Sequence, residues 1–248
     1  MFFYCSMKQD FWSTVEDVIK KSDVVLHVID SRYPEESRNK RAEEMALKYG
    51  KGLIHVFTKF DLVEDKEFPI TVEGPFCLVS AVDYYGLNKL RDKIIIEGKR
   101  RHQDKPKVGV VGYPNVGKSS LINAFKGKKS ARTSSEPGFT KGRQLLGTRN
   151  FMFVDSPGVI PVDEEDDIAK IKMGMKSINE EDVELAALEI IESLKGKVEA
   201  YFKVDVSDDF DETLEKIAVA KNLLVKGGEP NTERAARVIV KLYQEGKI

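Results

Sequence analysis

Apolar and polar positions alternate in blocks along the first 160 residues of the chain. Short apolar runs rich in β-branched residues are each followed by a loop with polar or glycine residues and then by a helix-length segment. Five such runs occur, at residues 24–29, 53–57, 76–79, 108–111 and 151–154. Runs of this kind predict strands of a parallel sheet that is covered on both faces. We therefore expect an open, doubly wound, mostly parallel α/β sheet, with residues 144–148 as an extra antiparallel strand.

The pattern changes after about Pro161. Apolar residues then recur at helical spacing, first at Leu185, Leu188, Ile191 and Leu194. Asp209 and Asn231 are suitable N-caps for two further helices. Three helices are the size of a small all-α unit, so we expect a sheet-containing domain at 1–162 and a helical C-terminal domain at 163–248.

Composition narrows the class of protein. Hydrophobic residues make up 41% of the 248 residues, which is enough for a sizeable core. No apolar run approaches the ~18 residues of a membrane span. Cys5 and Cys77 provide neither a disulfide framework nor metal-ligand spacing, and the short apolar opening has no basic stretch before it. We expect a soluble, cytoplasmic protein with no membrane partner.

The near-neutral net charge of −1 conceals an uneven distribution. Residues 89–149 hold 16 Lys and Arg against 4 Asp and Glu, whereas residues 161–248 hold 13 basic against 21 acidic residues. The central basic block can attract a polyanion such as RNA. Equally, part of the surplus can serve a bound phosphate while the rest is solvated surface. Charge alone leaves both interpretations open.

A phosphate-binding motif follows the fourth apolar run directly. Residues 112–119 read Gly-Tyr-Pro-Asn-Val-Gly-Lys-Ser, with a predicted strand before them and a helical stretch after them. This is the context that supports a G-x-x-x-x-G-K-[ST] phosphate loop. Gly112 and Gly117 let the backbone amides converge on a phosphate, Lys118 supplies a cation and Ser119 a hydroxyl for Mg²⁺.

A second half-site is expected at the end of the fifth run. Asp155 follows the strand at 151–154, which is the position of a Mg²⁺-holding acid in nucleotide hydrolases. Gly158 can offer its amide to a γ-phosphate because no side chain blocks the approach. Between these motifs, Thr140 is either a second hydroxyl on Mg²⁺ or a turn residue.

Two upstream segments at strand ends have the chemistry to recognise a purine base. Thr58-Lys59-Phe60-Asp61 follows the second run, and Ser80-Ala81 follows the third. The Asp61 carboxylate can accept hydrogen bonds from N1–H and the exocyclic amine of guanine, which adenine cannot donate. The Lys59 stem can lie along the base, and the Ala81 amide can reach the guanine O6.

Taken together, these segments resemble the five motifs of the translation-factor-related GTPases. Here the base-reading motifs precede the phosphate loop, which is similar to the circularly permuted GTPases of the YlqF/YawG type. Residues 30–34 and 37–39 also resemble that family, as does the segment 224–230. The resemblance implies a P-loop fold with a circularly permuted G domain, binding of GTP and GDP, and a role in assembly of the large ribosomal subunit with ribosomal RNA or a subunit precursor as partner.

The resemblance also implies a role for each matching position. The base would be read by Thr58, Lys59, Asp61, Ser80 and Ala81. The phosphates would be bound by Asn115, Val116, Gly117, Lys118, Ser119, Ser120 and Gly158. Mg²⁺ would be held by Ser119, Thr140 and Asp155, and a potassium ion by Asn115. Lys118, Thr140 and Gly158 would act in catalysis.

One part of the hydrolytic machinery is missing. Many small GTPases carry a Gln at the position that follows the glycine equivalent to Gly158, and this Gln orients the attacking water. This chain has Val159 and then Ile160 there. We therefore expect slow hydrolysis by the free protein, of the order of ~10⁻⁴–10⁻³ s⁻¹. Two alternatives remain open from the sequence. One is a GTP-gated protein-binding adaptor whose hydrolysis is incidental, and the other is an ATP-using P-loop enzyme.

Overall fold

The structure is a computed structural model of the full chain. It describes residues 2–63, 72–126, 146–147, 150–154, 158–160, 171–172, 174, 180–194 and 196–248. The chain divides into two compact units, Met1–Pro161 and Val162–Ile248. Within the described ranges, none of the helices has the length and apolar character needed to cross a membrane.

The first unit is built around a twisted sheet with helices on both faces. Its helices are α1 (Phe2–Lys21), α2 (Lys40–Lys48), α3 (Leu87–Lys99) and α4 (Lys118–Lys126). Its strands are β1 (Val24–Asp30), β2 (Gly52–Thr58), β3 (Phe76–Leu78), β4 (Lys107–Gly112), β5 (Leu146–Gly147), β6 (Met152–Phe153) and β7 (Gly158–Val159). The predicted alternation of strands and helices is confirmed.

The described strands form one seven-stranded sheet in the order β3-β2-β1-β4-β6-β5, with β7 beside β4. Every pairing is parallel except that of β5 with β6. The expected mostly parallel, doubly wound fold is therefore confirmed, as is the antiparallel strand before β6. Strand β7 is an addition, because a two-residue Gly-Val strand has too little pattern to be predicted.

The register of the central strands determines where the motifs meet. Val24 lies opposite Gly52 on one side and Val108 on the other, and Asp30 lies opposite Thr58. Because β1, β2 and β4 run in the same direction, their carboxyl ends lie at one edge of the sheet. Ligands of such sheets bind at that edge.

In the second unit, the described regular structure is helical apart from one antiparallel bridge between Leu224 and Pro230. Its helices are α5 (Glu180–Leu194), α6 (Lys197–Phe202), α7 (Phe210–Ala220) and α8 (Thr232–Gln244). The predicted caps are confirmed, because Asp209 accepts hydrogen bonds from the amides of Asp211 and Glu212, and Asn231 accepts one from the amide of Arg234. The short helix α6 was not expected from the spacing of apolar residues.

The residues that α5 buries differ from those whose spacing predicted the helix. Leu185 is 51% exposed, whereas Val183, Ala186, Ala187, Ile190 and Ile191 are buried. The predicted helix is present, but Leu185 lies off its buried face because residues taken in steps of three drift around a helix. Nine residues span about two and a half helical turns, so Leu185 and Leu194 lie on opposite sides of the helix.

Candidate nucleotide-binding site

The phosphate loop connects the end of β4 to the start of α4. A Cβ added to Gly112 would lie 2.5 Å from the carbonyl oxygen of Val28, so only glycine allows β4 to end this close to β1. Gly117 has φ +95°, and a Cβ there would lie 3.2 Å from the Thr58 hydroxyl. The loop is therefore packed against the ends of both β1 and β2.

Lys118 is folded onto its own loop. Its ammonium donates hydrogen bonds to the carbonyl oxygens of Gly112, at 2.8 Å, and Tyr113. The side chain is buried, and burial lowers the pKa of Lys118 to about 7. A polyanion beside this nitrogen would favour its protonated form, which is the chemistry expected of a phosphate-binding lysine.

Of the predicted Mg²⁺ ligands and the γ-phosphate sensor, the structure describes Ser119 and Gly158. Ser119 and Ser120 are exposed in the first turn of α4, at the positive end of the helix dipole. Gly158 is buried in β7 opposite Val111, so the structure brings it beside the strand that leads into the phosphate loop. Thr140 and Asp155 lie outside the described residues.

Thr58 joins the predicted base-reading segment at 58–61 to the phosphate loop. Its hydroxyl lies 2.5 Å from the Val116 carbonyl oxygen and 3.1 Å from that of Ile29. One hydroxyl proton can be donated to one of these acceptors at a time. Both contacts tie the end of β2 to its neighbours, and Thr58 is fully enclosed between them.

Lys59 and Asp61 lie on the turn that follows β2. Lys59 has φ +55° and its ammonium is 2.8 Å from the Asp30 carboxylate. Asp61 is exposed in a short 3₁₀ helix that spans Phe60–Leu62. Its carboxylate is therefore accessible at the edge where the phosphate loop also lies.

The third strand brings Ser80 and Ala81 beside that turn. The Ser80 hydroxyl accepts a hydrogen bond from the Asp83 amide at 3.0 Å, which closes a tight turn through Ala81. The rings of Phe60 and Tyr85 stack with centroids 5.9 Å apart, and the Ser80 amide donates to the Tyr85 carbonyl oxygen, so the turn that carries Ala81 packs on the segment at 58–61. Every predicted site residue among those described, except Gly158, thus lies at the last residue of β2, on the loops that follow β2, β3 and β4, or in the first turn of α4.

Asp30, Arg32 and Asn39 also contact this edge, although no role was predicted for them. The Asn39 side chain donates to the Tyr113 hydroxyl at 2.8 Å and caps α2 by accepting a hydrogen bond from the Ala42 amide. An acidic residue at the end of an apolar strand was the available signal for Asp30, because the same signal singled out Asp155.

A second polar cluster lies inside the unit, between α2 and the sheet. Glu43 is 3.1 Å from both His27 Nδ1 and His55 Nε2, and the guanidinium of Arg38 forms a two-pronged ion pair with it. The backbone N–H of Asn39 donates to His27 Nε2 at 3.3 Å, so the neutral ring carries its proton on Nδ1. That proton occupies the position at which a metal would bind.

The charges in this cluster fit a structural network. Burial lowers the pKa of His27, which keeps the ring neutral. Burial alone would raise the pKa of Glu43, but hydrogen bonds from His27 and Arg38 hold it far below its ordinary value. His55 contacts the same carboxylate outside hydrogen-bond geometry. The cluster therefore fastens α2 to β1 and β2.

Comparison with known proteins identifies the part of the chain that carries the phosphate loop. Residues 107–225 match the family model described as "50S ribosome-binding GTPase". The matched region begins at β4 and includes the phosphate loop. The segments at 58–61 and 80–81 precede it, as a permuted motif order requires.

The chain is also similar to several curated proteins. It is 38% identical over 243 residues to a GTP-binding protein of Methanocaldococcus jannaschii, covering 94% of this chain and 65% of the relative. It is 32% identical over 252 residues to nucleolar GTP-binding protein 2 of Neurospora crassa, covering 96% and 40% respectively. The chain thus spans between 40% and 65% of the length of these two relatives.

Solved structures share the fold over nearly the whole chain. YlqF from T. maritima in its GNP-bound form matches with a TM-score of 0.67 and 22% identity, covering 94% of this chain and 92% of that one. The GDP-bound form matches with a TM-score of 0.65. Sheet order, motif order and these similarities agree: the chain has the fold of YlqF and resembles the circularly permuted GTPases of the translation-factor-related class, YlqF/YawG-like type.

Proposed function

We propose that this protein binds GTP and GDP, hydrolyses GTP slowly, and acts in the cytoplasm as a nucleotide-gated assembly factor for RNA-rich ribosomal particles. One observation carries the nucleotide part of the proposal. The Thr58 hydroxyl contacts the Val116 carbonyl oxygen, so the segment able to read a base touches the loop able to hold phosphates. A single nucleotide spans two such sites when they lie side by side.

The proposed base is guanine. The accessible Asp61 carboxylate would accept from N1–H and the exocyclic amine, while the Ala81 amide would serve O6. Adenine would leave the carboxylate without donors, and such unpaired polar groups discriminate strongly. This argues against the ATP-using alternative.

Magnesium and potassium would complete the phosphate site. Ser119, with Thr140 and Asp155, would hold Mg²⁺, which neutralises charge on the β- and γ-phosphates when bound. The exposed Ser119 hydroxyl at the start of α4 fits this role. Asn115 has φ +56° on the outside of the loop, and we propose it as the residue that would place a potassium ion.

Slow hydrolysis follows from the residues after Gly158. Val159 is paired with Gly112 in the sheet, and Ile160 is completely buried in the core beneath α1. Neither side chain can hydrogen-bond to a water molecule. Lys118, Thr140 and Gly158 would stabilise charge on the phosphate, but a partner or an ion would have to help position the water.

The proposed particle is large-subunit ribosomal RNA or its precursor. Support comes from the description of the matching family and from the basic residues that end α3, where Lys99 and Arg100 are exposed. Such charges favour phosphate backbones and make binding strongly salt-dependent. Arg100 also pairs with Glu97, so only part of its charge is available to a partner.

The test measures binding of GTP, GDP and ATP side by side, followed by capture of ribosomal RNA at low salt with each guanine nucleotide. Preference for guanine nucleotides over ATP, with RNA capture that depends on the nucleotide, is the expected result. Equal affinity for ATP would overturn the base assignment.

The adaptor alternative has its own supporting observation. The second unit exposes several apolar side chains, namely Tyr201, Val206, Val219 and Val225. Exposed apolar side chains can contribute to a protein contact where they form one patch. A failure to bind RNA at low salt, together with nucleotide-dependent capture of a protein, would favour the adaptor.

A further inference from the structure

The buried carboxylate of Asp30 holds two cations at the end of β1. The Lys59 ammonium lies 2.8 Å from Oδ2, and the Arg32 guanidinium donates to both oxygens, at 2.9 Å and 3.1 Å. The Arg32 amide donates to Oδ1 as well, at 3.1 Å. The Asp30 side chain is 1% exposed, so these donors take the place of water around its charge.

Lys59 reaches Asp30 from the neighbouring strand. Asp30 and Thr58 are paired residues of β1 and β2, and the Ser31 amide donates to the Thr58 carbonyl oxygen at 2.9 Å. The backbone of Lys59 turns away from β2 in the left-handed region, while its ammonium is fixed at the end of β1. The aliphatic stem therefore runs across the ends of both strands, on the edge that carries Asp61.

A free lysine side chain samples many rotamers, and binding must then supply the free energy to order it. The ion pair with Asp30 orders the stem before any ligand arrives. Burial lowers the pKa of Lys59 while the charge of Asp30 raises it, so the carboxylate also helps to keep the ammonium charged. Preorganisation of this kind increases affinity without adding a ligand contact.

We infer that Asp30 is a positioning residue for base recognition, with Arg32 holding its carboxylate in place. Asp30 contacts Lys59 and acts through it, by holding the aliphatic stem of Lys59 where it can pack against one face of the purine. The inference rests on the proposed function, because it names what supports the base-reading lysine. It differs from that function in assigning a role to a group that would not contact the nucleotide.

A double-mutant cycle tests this inference in the full-length protein. The variants are Asp30→Asn, Lys59→Met and both together, and the ligands are GDP and inorganic tripolyphosphate, which has no base. We expect Asp30→Asn to weaken GDP binding about 10-fold when Lys59 is present and to have little further effect when it is Met, as expected for coupled neighbours. Tripolyphosphate binding should be unchanged in every variant.

Additive losses of GDP affinity in the double mutant, or equal losses of affinity for GDP and tripolyphosphate, would overturn the inference. A purely structural role would weaken the binding of both ligands to the same extent. Asp30→Asn leaves two cations without their carboxylate, so Asp30→Glu in the same cycle is the second variant. Asp30→Glu keeps the charge but displaces the Lys59 ammonium, so it should weaken GDP binding less than Asp30→Asn does. When Lys59→Met is also present, Asp30→Glu should have no further effect on GDP affinity. A wild-type protein without preference for GDP over ADP would refute the proposed function instead, which is a separate outcome.

Discussion

Gly117 and Thr58 lie so close that a methyl group on Gly117 would sit 3.2 Å from the Thr58 hydroxyl oxygen. The same hydroxyl contacts the carbonyl oxygen of Val116, the residue before Gly117. The phosphate loop and the base-reading segment are therefore in van der Waals contact through one enclosed side chain. A substitution on either side of this contact should therefore alter the positions of both the segment at 58–61 and the phosphate loop.

We predict that Gly117→Ala will weaken GDP binding by at least about 10-fold. The substitution places a side chain at φ +95°, where L residues are strained, and presses it against Thr58. Both effects move the amides that must converge on a phosphate, and small displacements in such sites cost large factors. Equilibrium titration with a fluorescent GDP analogue measures the change.

Gly50→Ala is the matched control. Gly50 also has positive φ, at +65°, but a Cβ there would meet nothing within 4 Å. It should lower the free energy of unfolding by about 1–2 kcal/mol through backbone strain alone, with GDP affinity retained. Equal GDP affinities for the two variants would show that the contact with Thr58 has no part in binding.

Asp61→Asn should exchange base preference. The amide keeps one acceptor and gains a donor, so guanine loses a partner for its N1–H and amine, while the carbonyl at C2 of xanthine gains one. We expect GTP affinity to fall about 100-fold and xanthosine triphosphate to bind better than GTP. Competition of both nucleotides against labelled GDP measures this.

Asp92→Asn on the exposed side of α3 removes the same charge away from the site and should leave both affinities unchanged. If Asp61→Asn bound the two triphosphates as the wild type does, this carboxylate would not read the base.

The fold was readable from the sequence because its strands are uniform apolar runs. The run at 24–29 became β1 with all of its residues buried, and the glycine-bearing loop at 112–117 lies between a strand and a helix as its motif requires. In these places, local pattern and tertiary packing favour the same structure.

The contacts within the site were less predictable. The ion pair between Asp30 and Lys59 joins residues 29 positions apart, and it depends on β1 and β2 being in register. Likewise, the contact between Asn39 and Tyr113 depends on where α2 begins relative to β4. Such pairs follow from the three-dimensional arrangement of strands, which no single stretch of sequence encodes.

GDP binding should take up a proton at slightly alkaline pH. Burial lowers the pKa of free Lys118 to about 7, and phosphates beside the ammonium will raise it. Between pH 7 and pH 8.5 the free protein therefore carries less charge on Lys118 than the complex, so affinity should fall as pH rises, by at most about tenfold per unit. Calorimetry in two buffers of different ionisation enthalpy counts the protons taken up.

Lys118→Met should remove most of this uptake, and an unchanged proton count in that variant would assign the uptake to another group.

Acid should destabilise the first unit through His27. Burial lowers the pKa of His27 below its ordinary value of 6.5, so the unfolded chain binds a proton near pH 6 that the folded chain does not bind. The contribution is therefore fully present above pH 6.5 and is lost as pH falls below it, at about 1.4 kcal/mol per pH unit. Urea unfolding at pH 7.0 and 5.5 measures the difference.

His27→Gln removes the titrating group while retaining a donor toward Glu43, so it should lower stability at pH 7.0 but lessen the further loss at pH 5.5 by about 1 kcal/mol. His102→Gln, at an exposed position, should lose stability between the two pH values as the wild type does. An equally steep loss for His27→Gln would mean that His27 is not the group whose protonation opposes folding.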